Sequence, residues 1–178
     1  MSSHMIDDIP SPFVVEWLPR VTALAALQPR AIDLAMGRGR HAHLLARAGF
    51  RTFGVDVKLD AVRDAVARAR AEALVVRGWC ADLTAMRLPR SLFDVVLVTR
   101  YLQRDLFSSI RDTLKADAVV MYETFTVHQR RLGFGPTSPD HLLEPGELLQ
   151  RFAGFDVVFY EEVLLPEAVA RIVARRSA

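Results

Sequence analysis

Cysteine is almost absent from the sequence, because Cys80 is the only one among 178 residues. A single thiol excludes an internal disulfide and a zinc site built from several cysteines. Such sparing use of cysteine is typical of a reducing compartment, so we expect a cytoplasmic protein. Free cysteines usually pack as small apolar residues, and we expect Cys80 to be buried and unreactive.

Long apolar runs and an excess of charge of one sign are also lacking. Arg or Asp interrupts each apolar run before it reaches the roughly 20 residues that span a bilayer, and the amino terminus does not look like a signal peptide. No membrane association is therefore expected. The formal net charge is only +2, which argues against a nucleic-acid partner because such binding draws on a dense cationic surface.

The sequence does contain enough apolar material for one sizeable core. Hydrophobic residues make up 51% of the chain, and its length suits one domain. We expect that domain to span residues 6–178, as a monomer or homodimer, after a cloning scar at residues 1–5. Ser11 and Pro12 predict the start of an N-terminal helix. The apolar face of this helix is expected to contain Phe13, Trp17, Val21 and Leu24.

Short apolar segments alternate with helical patterns along the rest of the chain. Parallel strands that are covered on both faces have nearly continuous apolar sequences, so these segments predict strands. The predicted strands span 31–35, 52–57, 74–76, 93–98, 118–125, 155–161 and 168–174. The predicted helices span 41–48, 60–73, 106–114 and 145–154. The short connection around Pro166 predicts an antiparallel hairpin, and the whole pattern predicts a doubly wound α/β domain.

The first predicted strand leads into Asp33-Leu34-Ala35-Met36-Gly37-Arg38-Gly39-Arg40. Small residues at positions 35, 37 and 39 let a ligand approach the backbone closely where the strand turns into a helix. Asp56 closes the next strand about 20 residues further on, where a carboxylate can accept hydrogen bonds from two ribose hydroxyls. The pattern predicts a ligand that contains adenosine.

Two further acidic residues discriminate between adenosine-containing cofactors. Residues 37–42 also fit the G-x-G-x-x-A pattern of nicotinamide-binding proteins, so the turn alone leaves that alternative open. Asp33 at the strand end would repel a pyrophosphate but attract an ammonium group, which favours S-adenosylmethionine. Asp82, after the third strand, can accept the adenine amino hydrogen while Trp79 and Leu83 pack against the ring. Each carboxylate could instead serve as a helix cap or turn residue.

Residues 31–56 resemble motifs I and II of the class I S-adenosylmethionine-dependent methyltransferases, and Asp82 matches their adenine-contacting position. The resemblance implies a Rossmann-like fold, whose mostly parallel seven-stranded sheet ends in an antiparallel hairpin, and S-adenosylmethionine as cofactor. Ala35 stands where a glycine is usual in this family, so its methyl group narrows the approach to the turn. The expected cofactor-binding residues are Asp33, Ala35, Met36, Gly37, Gly39, Asp56, Val57, Ala81, Asp82, Leu83 and Arg100.

The segments 99–107 and 123–130 follow the fourth and fifth strands and should face the same crevice. Together with 142–148 and 160–162, they resemble small bacterial methyltransferases related to tellurite resistance, whose acceptors are thought to be chalcogen oxyanions or thiols. Guanidinium groups would clamp an anionic acceptor, whereas a tyrosine or glutamate could orient or deprotonate a neutral one. The loop over 133–139 is either a lid or a fixed turn. The expected substrate-binding residues are Arg100, Tyr101, Arg104, Glu123, His128 and Arg130.

No metal site is expected. His41 and His43 lie two residues apart on a predicted helix, so they point to different faces and lack a third ligand. We expect both to be exposed polar residues.

These patterns predict an enzyme that methylates a small molecule, because the chain has little beyond the core sheet with which to recognise a macromolecule. Thr99 to Leu102 stand where amino-group nucleic-acid methyltransferases carry Asp-Pro-Pro-Tyr or Asn-Pro-Pro-Tyr. An RNA methyltransferase stays open if the arginines cluster, and so does a non-catalytic module that binds S-adenosylmethionine. A nicotinamide oxidoreductase ranks last, because we find no Tyr-x-x-x-Lys pair or histidine–carboxylate relay.

Overall fold

The computed structural model describes residues 9–24 and 27–177, and the expected cloning scar at residues 1–5 lies outside them. Strands and helices alternate along most of this length, as the pattern of apolar segments predicted. The helices are α1 (Pro12–Ala23), α2 (Arg40–Arg47), α3 (Leu59–Ala71), α4 (Leu106–Thr113) and α5 (Glu147–Arg151). The strands are β1 (Arg30–Leu34), β2 (Arg51–Asp56), β3 (Val76–Cys80), β4 (Phe93–Thr99), β5 (Leu114–Phe125), β6 (Asp156–Val163) and β7 (Val169–Arg175).

All seven strands form a single sheet in the order β3-β2-β1-β4-β5-β7-β6. The first five strands run parallel to one another, and β7 lies antiparallel between β5 and β6. The predicted doubly wound, mostly parallel seven-stranded sheet with an antiparallel C-terminal hairpin is confirmed. Because β1 and β4 are neighbours, the strand order reverses between them.

Alternate residues of the central strands pack into separate apolar clusters on the two faces of the sheet. In β4, Val96 and Val98 point towards α4 and α5, whereas Val95 and Leu97 point towards α1 and α2. A smaller apolar cluster between α2, α3 and β3 packs against the turn that joins β1 to α2. No helix within residues 9–24 and 27–177 is long and apolar enough to cross a membrane.

The structure corrects three expectations. The third strand spans Val76–Cys80 and not 74–76, because it is an edge strand, so Arg77 and Gly78 can take part without being buried. Cys80 is exposed and not buried, since it ends this edge strand. Leu24 is exposed, because α1 ends one residue before it.

Candidate active site

A cleft of about 500 Å³ opens at the carboxyl ends of β1 and β4. In doubly wound sheets, ligands bind where the strand order reverses, because the connections on the two sides lead to opposite faces. Most of the lining follows β1, β2 or β4 directly in the sequence. The cleft is lined by Ala35, Met36, Gly37, Arg38, Arg40, His41, Lys58, Asp60, Ala61, Thr99 and Arg100.

The turn between β1 and α2 presents its backbone to the cleft. Gly37 and Gly39 have φ angles of 54° and 82°, a left-handed conformation that glycine adopts without strain. A Cβ on Gly39 would stand 2.8 Å from the Cβ of Ala65. Ala35 has φ 55° although it carries a methyl group, and this conformation costs about 1 to 2 kcal/mol for a residue with a Cβ. Glycine would therefore form the first position of this turn with less strain.

Asp56, at the end of β2, holds the turn in place. Its Oδ2 accepts a hydrogen bond from the N–H of Gly37 at 2.8 Å, and its Oδ1 accepts one from the N–H of Lys58 at 2.9 Å. Each carboxylate oxygen has more than one lone pair, so Asp56 can still accept a hydrogen bond from a ligand hydroxyl. Its assignment to the ribose stays a prediction.

Asp33 is a buried acid just below the cleft. It is 1% exposed, and within the described part of the chain neither carboxyl oxygen makes a hydrogen bond of ordinary length and angle, although the backbone N–H of Ala42 lies near enough to stabilise its charge. Burial raises the pKa of Asp33 to about 7, although the backbone of Ala42 and the charge of Arg40 oppose this shift. A buried carboxyl group without a donor is costly, and it becomes favourable when a ligand supplies one.

Asp82 follows β3 and Tyr101 follows β4, and neither belongs to the lining of the cleft. The backbone N–H and the hydroxyl of Thr84 both donate to Asp82 Oδ1, at 2.8 and 2.7 Å, and these bonds lower the pKa of Asp82. Burial raises the pKa of Tyr101, and the charges of Asp82 and Asp56 add to this effect. Tyr101, which we expected near the acceptor, therefore lies close to the expected cofactor acids.

Four other expected cofactor-binding residues differ in how much of the side chain is exposed to solvent. Met36 is buried, and its sulfur lies so close to Gly54 that a Cβ there would stand 2.1 Å from it. Leu83 is buried in the core that underlies α4. Val57 is exposed and Ala81 is partly exposed. Met36 and Leu83 thus support the site by packing, whereas Val57 and Ala81 offer surface to a ligand.

The expectation that His41 and His43 are exposed is wrong. Both are buried, because the first turn of α2 is covered by α3 and by the residues that precede α1. The Nε2 of His43 lies 2.8 Å from the carbonyl oxygen of Ala65 and donates to it. No group of three or more His, Cys, Asp or Glu that could hold a metal ion occurs among the described residues.

His41 connects the amino-terminal segment to the cleft. The backbone N–H of Ser11 donates to His41 Nε2 at 2.9 Å, so the proton is on Nδ1, which lies 3.1 Å from Thr99 Oγ1 and donates to it. Burial lowers the pKa of His41 to about 3, and the charges of Arg40 and Arg100 lower it further. The imidazole is therefore neutral and bridges α1 to the end of β4.

Arg100 follows β4 directly and lines the cleft. Its backbone is left-handed, with φ 54°, and its N–H donates to the carbonyl oxygen of Glu123 at 2.8 Å. The guanidinium group makes two hydrogen bonds to the Glu167 carboxylate, at 2.9 and 2.8 Å. Arg100 is thus in the expected place, with its charge already paired.

Arg104 organises the connection between β5 and α5. Its guanidinium donates to both oxygens of Glu147 at 2.8 Å and to the carbonyl oxygen of Leu142 at 2.9 Å. Arg151 donates to the same carboxylate. Although burial alone would raise the pKa of Glu147, the hydrogen bonds from Arg104 and Arg151 hold it at about 2. Arg104 is therefore held in an ion pair with Glu147, and it does not belong to the lining of the cleft.

The loop over 133–139 is fixed to the domain by side chains. The fully buried Gln129 donates to the carbonyl oxygen of Phe134 at 3.0 Å and accepts from the N–H of Ala168 at 2.7 Å. The Nε of Arg130 donates to the carbonyl oxygen of Thr137 at 2.9 Å. Of the two interpretations of this loop, the structure fits the fixed turn. Arg130 is exposed on it, and His128 is half-buried beside it.

Seven residues of the cleft lining were absent from the expected site: Arg38, Arg40, His41, Lys58, Asp60, Ala61 and Thr99. Lys58 and Asp60 follow β2 within four residues of Asp56, and that position alone could have indicated them. Thr99 ends β4, so the same argument applies. His41 gave no such local signal, since its burial depends on Ser11, which lies 30 residues away.

Comparisons with known proteins agree with this geometry. The sequence matches the model of a family described as a methyltransferase domain over residues 31–128. No curated protein matches it. An S-adenosylmethionine-dependent methyltransferase from Mesorhizobium loti is 19% identical, with a TM-score of 0.69 over 90% of this chain and 97% of that one. One from Aquifex aeolicus is 16% identical, with a TM-score of 0.70 over 98% of each chain.

TehB from Haemophilus influenzae is 14% identical, with a TM-score of 0.76 over 95% of this chain and 63% of that one. Proteins this distant in sequence are similar in fold, which is a weaker statement than similarity of substrate. The structural comparisons therefore agree with the strand order and hairpin described above.

Proposed function

Because this chain belongs to the methyltransferase domain family, we propose that it transfers the methyl group of S-adenosylmethionine to a small-molecule acceptor. It is an enzyme, and S-adenosylmethionine is its cofactor. Family membership leaves the acceptor open, so the acceptor has to be argued from the site.

The fit of the cofactor rests mainly on Asp33. Its buried carboxyl oxygens make no hydrogen bond of ordinary length and angle among the described residues, and the group lies beneath a turn whose backbone is exposed to the cleft. The ammonium group of S-adenosylmethionine has three N–H donors and a positive charge, which would satisfy and ionise this carboxyl group. A pyrophosphate would instead be repelled by it.

Two other acids would hold the remainder of the cofactor. Asp56 would accept hydrogen bonds from the ribose hydroxyls while it keeps the turn closed through Gly37. Asp82 would accept the adenine amino hydrogen through the oxygen that Thr84 does not use. Val57 and Ala81 would offer apolar surface to the purine ring.

The bound cofactor supplies a methyl group that its sulfonium already activates, so the chain chiefly has to position the acceptor and exclude water. Thr99 and Arg100 stand at the end of β4, on the acceptor side of the turn. Their positions are stabilised by His41 and Glu167, respectively. This pre-organisation supports transfer to an acceptor that binds beyond β4.

A small acceptor is supported by how little of the described chain lies outside the sheet and its helices. The loop over 133–139 is held by Gln129 and Arg130, so it offers a fixed wall rather than a broad adaptable surface. An anionic, thiol or chalcogen acceptor follows only from the resemblance to the tellurite-resistance group. The expected role of Arg100, Arg104 and Arg130 in binding an anionic acceptor gains no support, because each of these arginines already has a carboxylate or carbonyl partner.

Calorimetric titration with S-adenosylhomocysteine tests the assignment, with NAD as the control ligand. We expect binding of S-adenosylhomocysteine alone, and we expect the Asp33→Asn variant to bind it at least tenfold more weakly. Asp94→Asn is a matched control, because Asp94 lies near the amino end of the neighbouring strand β4, at the opposite end from the cleft, where it binds Lys115. Binding of NAD in preference would overturn the proposal. Absence of turnover of bound S-adenosylmethionine would favour a non-catalytic module.

A further inference from the structure

A row of four polar side chains crosses the sheet next to the cleft. The strand register pairs Thr99 with Glu123, Glu123 with Arg171, and Arg171 with Glu161. We call these four residues the polar row. They lie on the face that α1 covers, and the Thr99 end of the row opens on the cleft. The residues one level below on the same face are all apolar: Leu97, Met121, Val173 and Phe159.

The side chains of the polar row are joined to one another. Arg171 Nε donates to Glu123 Oε2 at 2.5 Å, and Arg171 Nη1 donates to Glu161 Oε1 at 2.9 Å. Glu123 is only 5% exposed, and no hydrogen bond to its Oε1 is seen within residues 9–24 and 27–177. A carboxylate oxygen with spare lone pairs, in a side chain that is mostly buried, favours a ligand that carries an N–H or O–H donor.

The charges around the polar row are unevenly balanced. Three carboxylates, on Glu123, Glu161 and Glu167, face two guanidinium groups, on Arg100 and Arg171. Within this ion-paired group one negative charge is in excess and both guanidinium groups are already paired, while Arg38, Arg40 and Lys58 line the part of the cleft beside α2 and β2. An anion entering here would meet carboxylates, whereas a cation would be attracted.

We propose that the polar row is the acceptor subsite and that the acceptor is a small primary or secondary amine, an inference that rests on the proposed function. The ammonium form is drawn in by the excess carboxylate, and Glu123 Oε1 takes the proton that must leave nitrogen. His41 keeps Thr99 oriented through its Nδ1–H, so the hydroxyl hydrogen of Thr99 points away from the imidazole.

The reaction balances without any other reactant. The ammonium group first gives one proton to Glu123 Oε1, which frees a lone pair on nitrogen. This lone pair would form the new C–N bond while the C–S bond of the cofactor breaks, and the electron pair of the C–S bond would stay on sulfur, which becomes a neutral thioether. The product leaves as a methylated ammonium ion, and solvent removes the proton from Glu123 before the next turnover. Glu123 is thus a catalytic residue of this site, and Arg171 is a positioning residue that fixes its other oxygen.

The test compares two sets of acceptors with the full-length protein. Ethanolamine, histamine and phenethylamine are the amine probes, and selenite and 2-mercaptoethanol are the anion and thiol probes. Formation of S-adenosylhomocysteine is followed by mass spectrometry, and binding of each probe to the complex with S-adenosylhomocysteine is followed by calorimetry. We expect methylation of at least one amine and of neither control probe.

Glu123→Gln keeps the shape of the side chain but removes the proton acceptor. We expect it to lower kcat/KM for the amine about 100-fold, as removal of a general base does, and to weaken binding of the amine about tenfold. Its affinity for S-adenosylhomocysteine and its thermal midpoint show whether the variant folds. Glu162→Gln is the matched control, because Glu162 lies one residue from Glu161 with its carboxylate on Tyr160 and Gly146.

The possible failures are distinguishable. If S-adenosylhomocysteine does not bind, the proposed function itself is wrong. If it binds but selenite or the thiol is methylated in preference, or no amine is methylated, the amine inference is overturned and the proposed function stands. Unchanged kcat/KM in a folded Glu123→Gln variant would also overturn it.

Discussion

The carboxylate of Asp56 accepts a hydrogen bond of 2.8 Å from the backbone N–H of Gly37, and this bond connects the turn after β1 to the end of β2. One acid thus has two tasks, since it shapes the turn and, in the proposed function, binds the ribose. These tasks can be separated by comparing stability with affinity.

Asp56→Ala should weaken binding of S-adenosylhomocysteine by about 1 to 3 kcal/mol, because ligand hydroxyls lose a charged acceptor. It should also lower the thermal midpoint, because the N–H groups of Gly37 and Lys58 lose their partner. Calorimetry and thermal denaturation measure the two effects. Asp112→Ala, which removes an exposed partner of Arg90, is the control. Unchanged affinity would remove Asp56 from the site.

Ala35→Gly should stabilise the protein by up to about 1 kcal/mol, because glycine adopts φ 55° without the strain of a Cβ. Ala67→Gly, in the exposed middle of α3, should instead destabilise it by about 1 kcal/mol. Urea denaturation measures both changes. Destabilisation by both variants would mean that the turn is not strained at Ala35.

Gly39→Ala should destabilise the fold by about 1 to 3 kcal/mol, because the new methyl group would overlap the Cβ of Ala65. Gly133→Ala has a similar left-handed φ of 74° but nothing within 4 Å of the new Cβ. The difference between the two variants in thermal denaturation therefore reports the overlap alone. Equal effects would show that α2 and α3 can separate at no cost.

The titration of Asp33 predicts a pH dependence of stability. Its pKa is raised by burial to about 7 in the folded protein, compared with 3.8 in the unfolded chain. Between these values the folded protein keeps a proton that the unfolded chain has released, so the free energy of unfolding should fall as pH rises through this window. Asp33→Asn should remove this slope. An unchanged slope in denaturation curves from pH 4 to 8 would contradict the prediction.

The same group should make ligand binding stronger at higher pH. Above pH 7 the carboxylate form of Asp33 is available to pair with an ammonium group. Affinity for S-adenosylhomocysteine should therefore rise several-fold from pH 6 to 8, and it should change little in Asp33→Asn. Calorimetry at the two pH values shows whether Asp33 contacts the ligand or only stabilises the fold.

His41→Ala should cost about 1 to 3 kcal/mol of stability, because the Ser11 N–H and the Thr99 hydroxyl lose their partner. The lowered pKa of His41 also makes stability depend on pH, because between pH 6.5 and 3 the unfolded chain binds a proton that the folded protein does not. The stabilisation contributed by neutral His41 is therefore complete above pH 6.5 and is lost as the pH falls towards 3. His128→Ala, in the short 3-10 helix Val127–Leu132, removes a half-buried side chain and should change stability by less than about 0.5 kcal/mol. Equal effects at the two positions would contradict the bridging role.

Local sequence patterns predicted the strands, the terminal hairpin and the turn, because each of these depends on residues close together in the chain. The polar pairing depended on distant residues. Arg104 meets Glu147, which is 43 positions away, and Thr99 meets His41, which is 58 positions away. Periodicity carries no information about such partners, so the burial of His41 and the pairing of the arginines could not be predicted.

The position of β3 at the edge of the sheet also limited what the sequence could predict. A central strand is buried on both faces and reads as an apolar run, as β4 does. At the edge, Arg77 and Gly78 interrupt the run and still pair with Phe53 and Gly54. The sequence therefore indicated a strand in the right region but with the wrong boundaries.

The hydrogen bond between Ser11 and His41 has a practical consequence for handling the protein. Ser11 holds His41, which lines the cleft, so loss of the segment around Ser11 would disturb the site. The last residues of β7 lie beside the beginning of β5, at the end of the strands that is opposite to the cleft. Affinity tags and surface attachment for binding measurements therefore belong at the carboxyl end.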